Sequence, residues 1–311
     1  MSEWVAGIPS PGPEWQKIPI DIFGLHWRIQ TYAIIILIAI IISAAWTNHR
    51  LNKRGAEPGV VLDIVLWAVP LGIIGARFYH VFTHPENYFY SGANLWNVFA
   101  IWDGGNAIFG ALIGGGVGVW IACRWTGLRF TSFADALAPA LLLAQGIGRL
   151  GNYFNQELFG LPTNLPWGLE ISPGNSAIPV GLPADTLFHP LFLYEMVWDI
   201  GGAIFLAWLG RRLTLQWGRL FALYLVWYGA GRAYLESIRI DPSEFNFLGI
   251  ESNTWAAFAA IVLGVIIFLV QSRRHTGLEP SPYRPGREWS RSRREVELYE
   301  EEDDDVRASR A

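Results

Sequence analysis

The chain has 311 residues, 52% of them hydrophobic and only 16% charged, where a soluble domain of this size carries about a quarter charged residues. The formal net charge of −4 is unevenly spread: Thr31 to Val270 is thin in charge, while Gln271 to Ala311 is crowded with Arg, Glu and Asp. The single cysteine, Cys123, excludes an intrachain disulfide framework and a cysteine-based metal cluster, and nucleic acid is not among the expected partners.

Residues 1–30 read as a polar lead-in with Pro and Trp. They lack the basic n-region and small-residue cleavage site of a signal peptide. A membrane span needs roughly 20 mainly apolar residues, and seven candidates follow, at 30–48, 60–82, 98–122, 133–149, 188–209, 217–237 and 254–271. The fourth is short, so it reads as tilted or partly re-entrant. Cations cluster in alternate loops: His49 to Arg54, Arg124 to Arg129, Arg211, Arg212 and Arg219, then Arg273 and Arg274. Loops 83–97 and 150–187 contain no Lys or Arg. By the positive-inside rule the basic loops are cytoplasmic, with the N-terminus outside and the C-terminus inside. The fold expected is therefore an all-α polytopic membrane protein with about seven transmembrane helices. Residues 1–271 form one transmembrane domain, including a small outward-facing cap at about 152–187. That segment mixes Pro and Gly with Leu158, Phe159 and Trp167 and is too long for an idle turn. Residues 272–311 form a charged tail expected to be disordered.

Ionisable residues in or beside spans are costly and mark candidate sites. Here they are Arg77, Arg149, Glu157, His189, Glu195, Arg232 and Glu236, with Asp63, Asp135 and Asp199 behind them. Arg77 also reads as an arginine snorkelling to the interface. Arg149 lies in GIGRLGNYFNQELFG (146–160), where glycines permit close approach and Asn152, Asn155 and Glu157 add polar groups. Its planar fork suits phosphate oxygens; the bland alternative is a glycine packing seam with a polar fringe. Arg232 and Glu236, at i and i+4, share a helix face, either as an anion site or as a neutralising pair. The glycines of WDGGNAIFGALIGGGVGVW (102–120) suit close helix packing, and Gly104-Gly105 also opens a helix N-terminus towards a bound group. His189 is a candidate proton acceptor or a plain interface residue.

GRLGNYFNQELFG (148–160) closely resembles the signature G-R-x-G-N-F-x-N-x-E-x-x-G of the prolipoprotein diacylglyceryl transferase family. WDGGNAIFGALIGG (102–115), GARFYH (75–80), HPLFLYE (189–195) and YGAGRAYLE (228–236) follow the family's order, and the resemblance spans about residues 20–271. It implies an enzyme of the bacterial cytoplasmic (inner) membrane, a monomer among membrane lipid, that begins lipoprotein maturation. The diacylglyceryl group of phosphatidylglycerol would pass to the lipobox cysteine of a preprolipoprotein signal peptide, giving a thioether and glycerol 1-phosphate, with no cofactor or metal. Arg149 then corresponds to the arginine that binds phosphatidylglycerol and Arg232 to a second essential arginine. Asn152 and Gly160 fall at important signature positions, and Tyr32 matches an important tyrosine. Substrate binding is expected from Arg149, Arg232, Asn152, Gly104, Gly105, Gly160 and His189, and catalysis from Arg149, Arg232, Asn152, Glu157, Glu236 and Tyr32. One departure stands out: Phe109 occupies a position where many members carry a histidine proposed as base. That leaves Glu157, Glu236, His189 or the lipid phosphate as proton acceptor. The alternatives are a weakened paralogue that binds anionic lipid and a secondary transporter.

Overall fold

A backbone in lipid has no water to satisfy its N–H and C=O groups, so apolar runs such as the Ile-rich stretch after Thr31 close their hydrogen bonds internally as helix. The computed structural model describes residues 7–22, 25–101, 104–105, 107–240 and 246–290. Its long helices are α1 (Thr31–Asn52), α2 (Val60–Thr83), α3 (Ile108–Thr126), α4 (Phe130–Asn155), α5 (Leu191–Arg212), α6 (Arg219–Glu236) and α7 (Ser252–Arg274). Six of them are long and apolar enough to cross a membrane. The exception is α6, whose 18 residues include Arg219, Arg232 and Glu236.

Short antiparallel strands fill the connections. β1 (Lys17–Ile22) pairs with β2 (Leu25–Gln30). β3 (Pro162–Thr163), β4 (Leu169–Glu170) and β5 (Leu187–Phe188) form a sheet with β5 central. β6 (Asn246–Phe247) pairs with β7 (Ile250–Glu251). The polytopic all-α reading thus holds with small sheets added between helices.

Several expected boundaries shift. The third helix starts at Ile108 rather than 98, after a short 3-10 helix at Leu95–Phe99. Gly104 and Gly105 have φ of 85° and 70°, a left-handed backbone that interrupts a helix that hydrophobicity alone would extend. The fourth helix is not short: it runs for 26 residues, because its polar end from Arg149 to Asn155 stays helical. The fifth starts three residues late, since Leu187–Phe188 are strand and Pro190 caps α5.

Two compact units divide the chain: residues up to Trp46 with Leu137–Leu278, and Thr47–Ala136 with residues from Glu279 on. The division falls inside α1 and α4. In the first unit, Ala138, Leu142, Ala203, Leu206, Leu220 and Tyr224 form a core contributed by α4, α5 and α6. The segment after α4 has its own core of Phe159, Leu169, Ile171, Phe188 and Phe192.

In the second unit, α2 and α3 meet along glycines: a Cβ on Gly75 would strike the Gly110 carbonyl, and one on Gly114 the Leu71 carbonyl. Removing side chains lets the two backbones touch. Arg77 is 6% exposed and donates to the carbonyls of Val98 (2.8 Å), Gly104 (2.5 Å), Gly105 (3.2 Å) and Asn97. It neither snorkels nor stands free; it holds the loop that contains the glycine pair. The tail expected to be disordered from 272 is instead packed at its start. α7 continues to Arg274, and Tyr283 is 2% exposed, bridging Leu128, while the Arg129 Nε donates to its carbonyl at 2.7 Å. Composition suggests solvation there, but Pro280, Pro282 and Pro285 pre-set an extended path around one aromatic anchor. Burial pushes the Tyr283 hydroxyl up to about 12, so it stays neutral while receiving the Glu57 N–H at 3.0 Å. Residues 291–311, the remainder of that tail, lie outside the described residues.

The glycine seam yields a paired test. Gly114→Val forces a side chain into the Leu71 carbonyl and should destabilise the protein by about 1–3 kcal/mol. Gly116→Val, where a Cβ meets nothing within 4 Å, should leave the unfolding midpoint in detergent unchanged. Equal midpoints for the two variants would refute the seam.

Candidate functional site: an arginine–carboxylate ladder

The first unit brings together charges far apart in sequence. Arg149, near the end of α4, meets Glu195 of α5 through Nη2 and Oε2. The other oxygen of Glu195 lies 3.4 Å from Arg232 Nη1 on α6. Arg232 Nη2 is 2.6 Å from Glu236 Oε2, and Glu236 also takes Arg239 Nη1 at 3.2 Å and the Asn253 amide at 2.7 Å. The result is a continuous series, Arg149–Glu195–Arg232–Glu236–Arg239. The side chains of Glu195 and Glu236 are 8% and 1% exposed, while Arg149 and Arg232 keep 18% and 15%. The two arginine side chains thus retain more access than the carboxylate side chains between them.

Arg149 is steadied from its own helix. Its Nη1 donates to Asn152 Oδ1 at 3.3 Å, and Asn152 Nδ2 donates to Glu157 Oε1 at 2.8 Å. The Asn155 amide reaches the same Glu157 oxygen at 3.4 Å. Glu157 sits where α4 unwinds, between Gln156 and Leu158 at φ 53° and 56°, and it is exposed. Gln156 is 4% exposed and fastens this turn: its Nε2 donates to the Pro11 carbonyl at 2.7 Å, and its Oε1 accepts the Ser172 N–H at 2.8 Å.

Two glycines allow close approach. The ring of Tyr32 lies against Gly151, where a Cβ would collide with it. At Gly160 a Cβ would press on His189 Cβ and the Ile238 carbonyl, while the Gly160 N–H donates to the His189 carbonyl at 2.9 Å. His189 and Trp167 converge on one hydroxyl: Nδ1 of His189 is 3.2 Å from Tyr194 Oη, and Trp167 Nε1 donates to it at 3.0 Å.

A family model for prolipoprotein diacylglyceryl transferase matches residues 20–270, which include every residue of the ladder and its neighbours. The chain belongs to the prolipoprotein diacylglyceryl transferase family. A phosphatidylglycerol–prolipoprotein diacylglyceryl transferase of Leifsonia xyli subsp. xyli is 69% identical to it, over 98% of this chain and 93% of that protein. One from Streptomyces griseus subsp. griseus is 42% identical over 88% and 81%, and a "transferase 2" of Streptomyces coelicolor is 43% identical over 81% and 78%.

Within the transferase, Arg149, Asn152, Glu157, Gly160, His189, Arg232, Glu236 and Tyr32 all belong to the first unit. Gly104 and Gly105 belong to the second, where Gly105 lies against His80 and Arg77. Phe109, also there, tilts against Tyr79 at a ring separation of 6.3 Å. Two members of the ladder carry no assigned role in the sequence. Glu195 is an ionisable candidate without a partner in sight, and Arg239 lies beyond the matched motifs, although Arg232, Glu236 and Arg239 recur at the i, i+4, i+7 spacing of one helix face. Asn253, at the start of α7, carried no signal of its own.

The contact between Gly151 and Tyr32 is open to a direct test. Gly151→Ala should displace α1 from the Arg149 turn and reduce transferase activity by roughly tenfold or more. Gly148→Ala, facing only the movable end of Ile36 at 3.3 Å, should retain near-normal activity. A fully active Gly151→Ala enzyme would show that the close approach is dispensable.

Proposed function

We propose that the chain transfers the diacylglyceryl group of phosphatidylglycerol to the thiol of the lipobox cysteine in a preprolipoprotein, acting as a monomer in the bacterial cytoplasmic membrane. The observation that carries this reading is the convergence of Arg149 and Arg232, from α4 and α6, on the two oxygens of Glu195.

The bond that breaks is the C–O bond between carbon 3 of the diacylated glycerol and the phosphate, and the bond that forms joins that carbon to the cysteine sulfur. The phosphate leaves as glycerol 1-phosphate, so negative charge grows on its oxygens. Two preset guanidiniums in a site of low dielectric stabilise that charge more in the transition state than in the ground state. The thiol must give up its proton first, since an unperturbed cysteine titrates near ~8.5. Glu236 is engaged by three side chains, which suits a brace for Arg232 better than a proton acceptor. Glu157, exposed and held by two amides, and half-buried His189, with one ring nitrogen on Tyr194, are better placed to take it. Asn152 orients Arg149, and Gly160 lets the chain pass His189 closely enough to keep that histidine beside Tyr194.

Incubation with phosphatidylglycerol and a lipobox peptide should yield glycerol phosphate and a peptide heavier by one diacylglyceryl group. Arg149→Ala and Arg232→Ala should abolish that product. Arg149→Lys, which keeps the charge and loses the fork, should cost roughly 10²–10³-fold in rate. Near-full activity in Arg149→Lys would mean that charge alone suffices. The orientation proposed, N-terminus outside and C-terminus cytoplasmic with seven crossings, is checked separately. Single cysteines placed at Asp185 and Arg211 in a Cys123→Ser background should label from opposite sides of the membrane, and labelling from one side would overturn it.

A further inference from the structure

Arg149 and Arg232 stand on different helices yet share one carboxylate, one oxygen each. Arg232 has a second carboxylate in Glu236; Arg149's remaining side-chain hydrogen bond goes to the neutral Asn152 amide. Glu195 is therefore the counter-ion of Arg149 and the link that holds the two guanidiniums at a fixed separation. Asp199, one turn along α5 and 3% exposed, lies within the field of Arg149, Glu195 and Arg232, and Tyr228 of α6 faces the same four groups.

A phosphodiester carries one negative charge on two equivalent oxygens. A carboxylate has the same charge and the same two-oxygen pattern, and the guanidinium fork accepts either in the same bidentate manner. We propose that Glu195 is a built-in stand-in for the substrate phosphate: it pairs with the faces of Arg149 and Arg232 that phosphatidylglycerol takes over, so lipid binding is an anion exchange. This rests on the phosphatidylglycerol reading given above. Glu195 is in this sense a positioning residue. It keeps two partly buried arginines aligned between turnovers, so they need no rearrangement when lipid arrives. Its return to Arg149 competes with the departing glycerol phosphate, which carries the larger charge and would otherwise be the harder anion to release.

The test is a split between affinity and turnover. Glu195→Gln keeps the shape and removes the competing charge. The apparent KM for phosphatidylglycerol in mixed micelles, and the inhibition constant of glycerol 1-phosphate, should both fall by about tenfold, since breaking one charge-assisted bond is worth about that much. Turnover should fall as product release slows. Glu195→Asp keeps the charge on a stem too short to span both arginines, so KM should fall by a smaller factor and kcat should also drop. An unchanged or raised KM in Glu195→Gln would overturn the proposal. So would failure of both variants to accumulate as folded protein, because that would make Glu195 a structural brace. If the wild type forms no thioether at all, the transferase reading fails on its own. Calorimetric titration of glycerol 1-phosphate into wild type and Glu195→Gln would then still decide the exchange.

Discussion

Charge buried in an apolar setting must be paired, and that constraint organises the first unit. Each of the two carboxylates in the ladder touches two arginines, and the one interior arginine, Arg232, touches both carboxylates. Removing one member of a buried ion pair costs about 3–5 kcal/mol, because the remaining charge is left desolvated and alone. The helices that supply these residues are therefore tied to one another by more than apolar contact. α4, α5 and α6 supply the charges, Arg239 follows α6, and α7 adds the Asn253 amide. Such a series is weak evidence for stability in itself, since an apolar replacement of equal volume often does as well. Its value lies in holding two guanidinium forks in one place.

Glycine makes that placement attainable. α5 reaches its neighbours where side chains are missing: Gly146 of α4 accepts Met196, Asp199 and Ile200, and Gly231 of α6 accepts the ring of Trp198. Gly202 of α5 in turn accepts Trp227, and the two indoles each donate to the other's backbone carbonyl at 3.2 Å. Gly231 precedes Arg232, so the packing of Trp198 and the direction of the arginine are settled within one turn. Small residues and charged residues thus serve the same end, one by allowing approach and the other by rewarding it.

Much of this was legible in the sequence. Seven helices could be read from apolar length, and the polar end of α4 from the run Arg149 to Glu157. What was misread involves competition between local and distant forces. Hydrophobicity alone starts the third helix at 98, but Gly104, Gly105 and the Arg77 guanidinium impose a loop. Polarity alone ends the fourth at 149, because polar residues usually leave a membrane. Here Asn152, Asn155 and Glu157 bond one another instead. The roles of Glu195 and Asn253 depend on contacts across tens of residues, and no local pattern encodes a partner at that range. The docked start of the tail is hidden for the same reason: Tyr283 finds its place against Leu128, Arg129 and Glu57, far earlier in the chain.

The lead-in before β1 has a bearing on how the chain assembles. Ile8 bridges Leu169, the Pro9 carbonyl accepts the Tyr153 hydroxyl at 2.7 Å, and the Pro11 carbonyl accepts the Gln156 amide at 2.7 Å. All three partners are made more than 140 residues later than the residues they hold. Residues 8 to 11 therefore wait for these contacts until α4 and the segment beyond it have been synthesised. The strap that fastens the turn after Arg149 is thus made early and closed late.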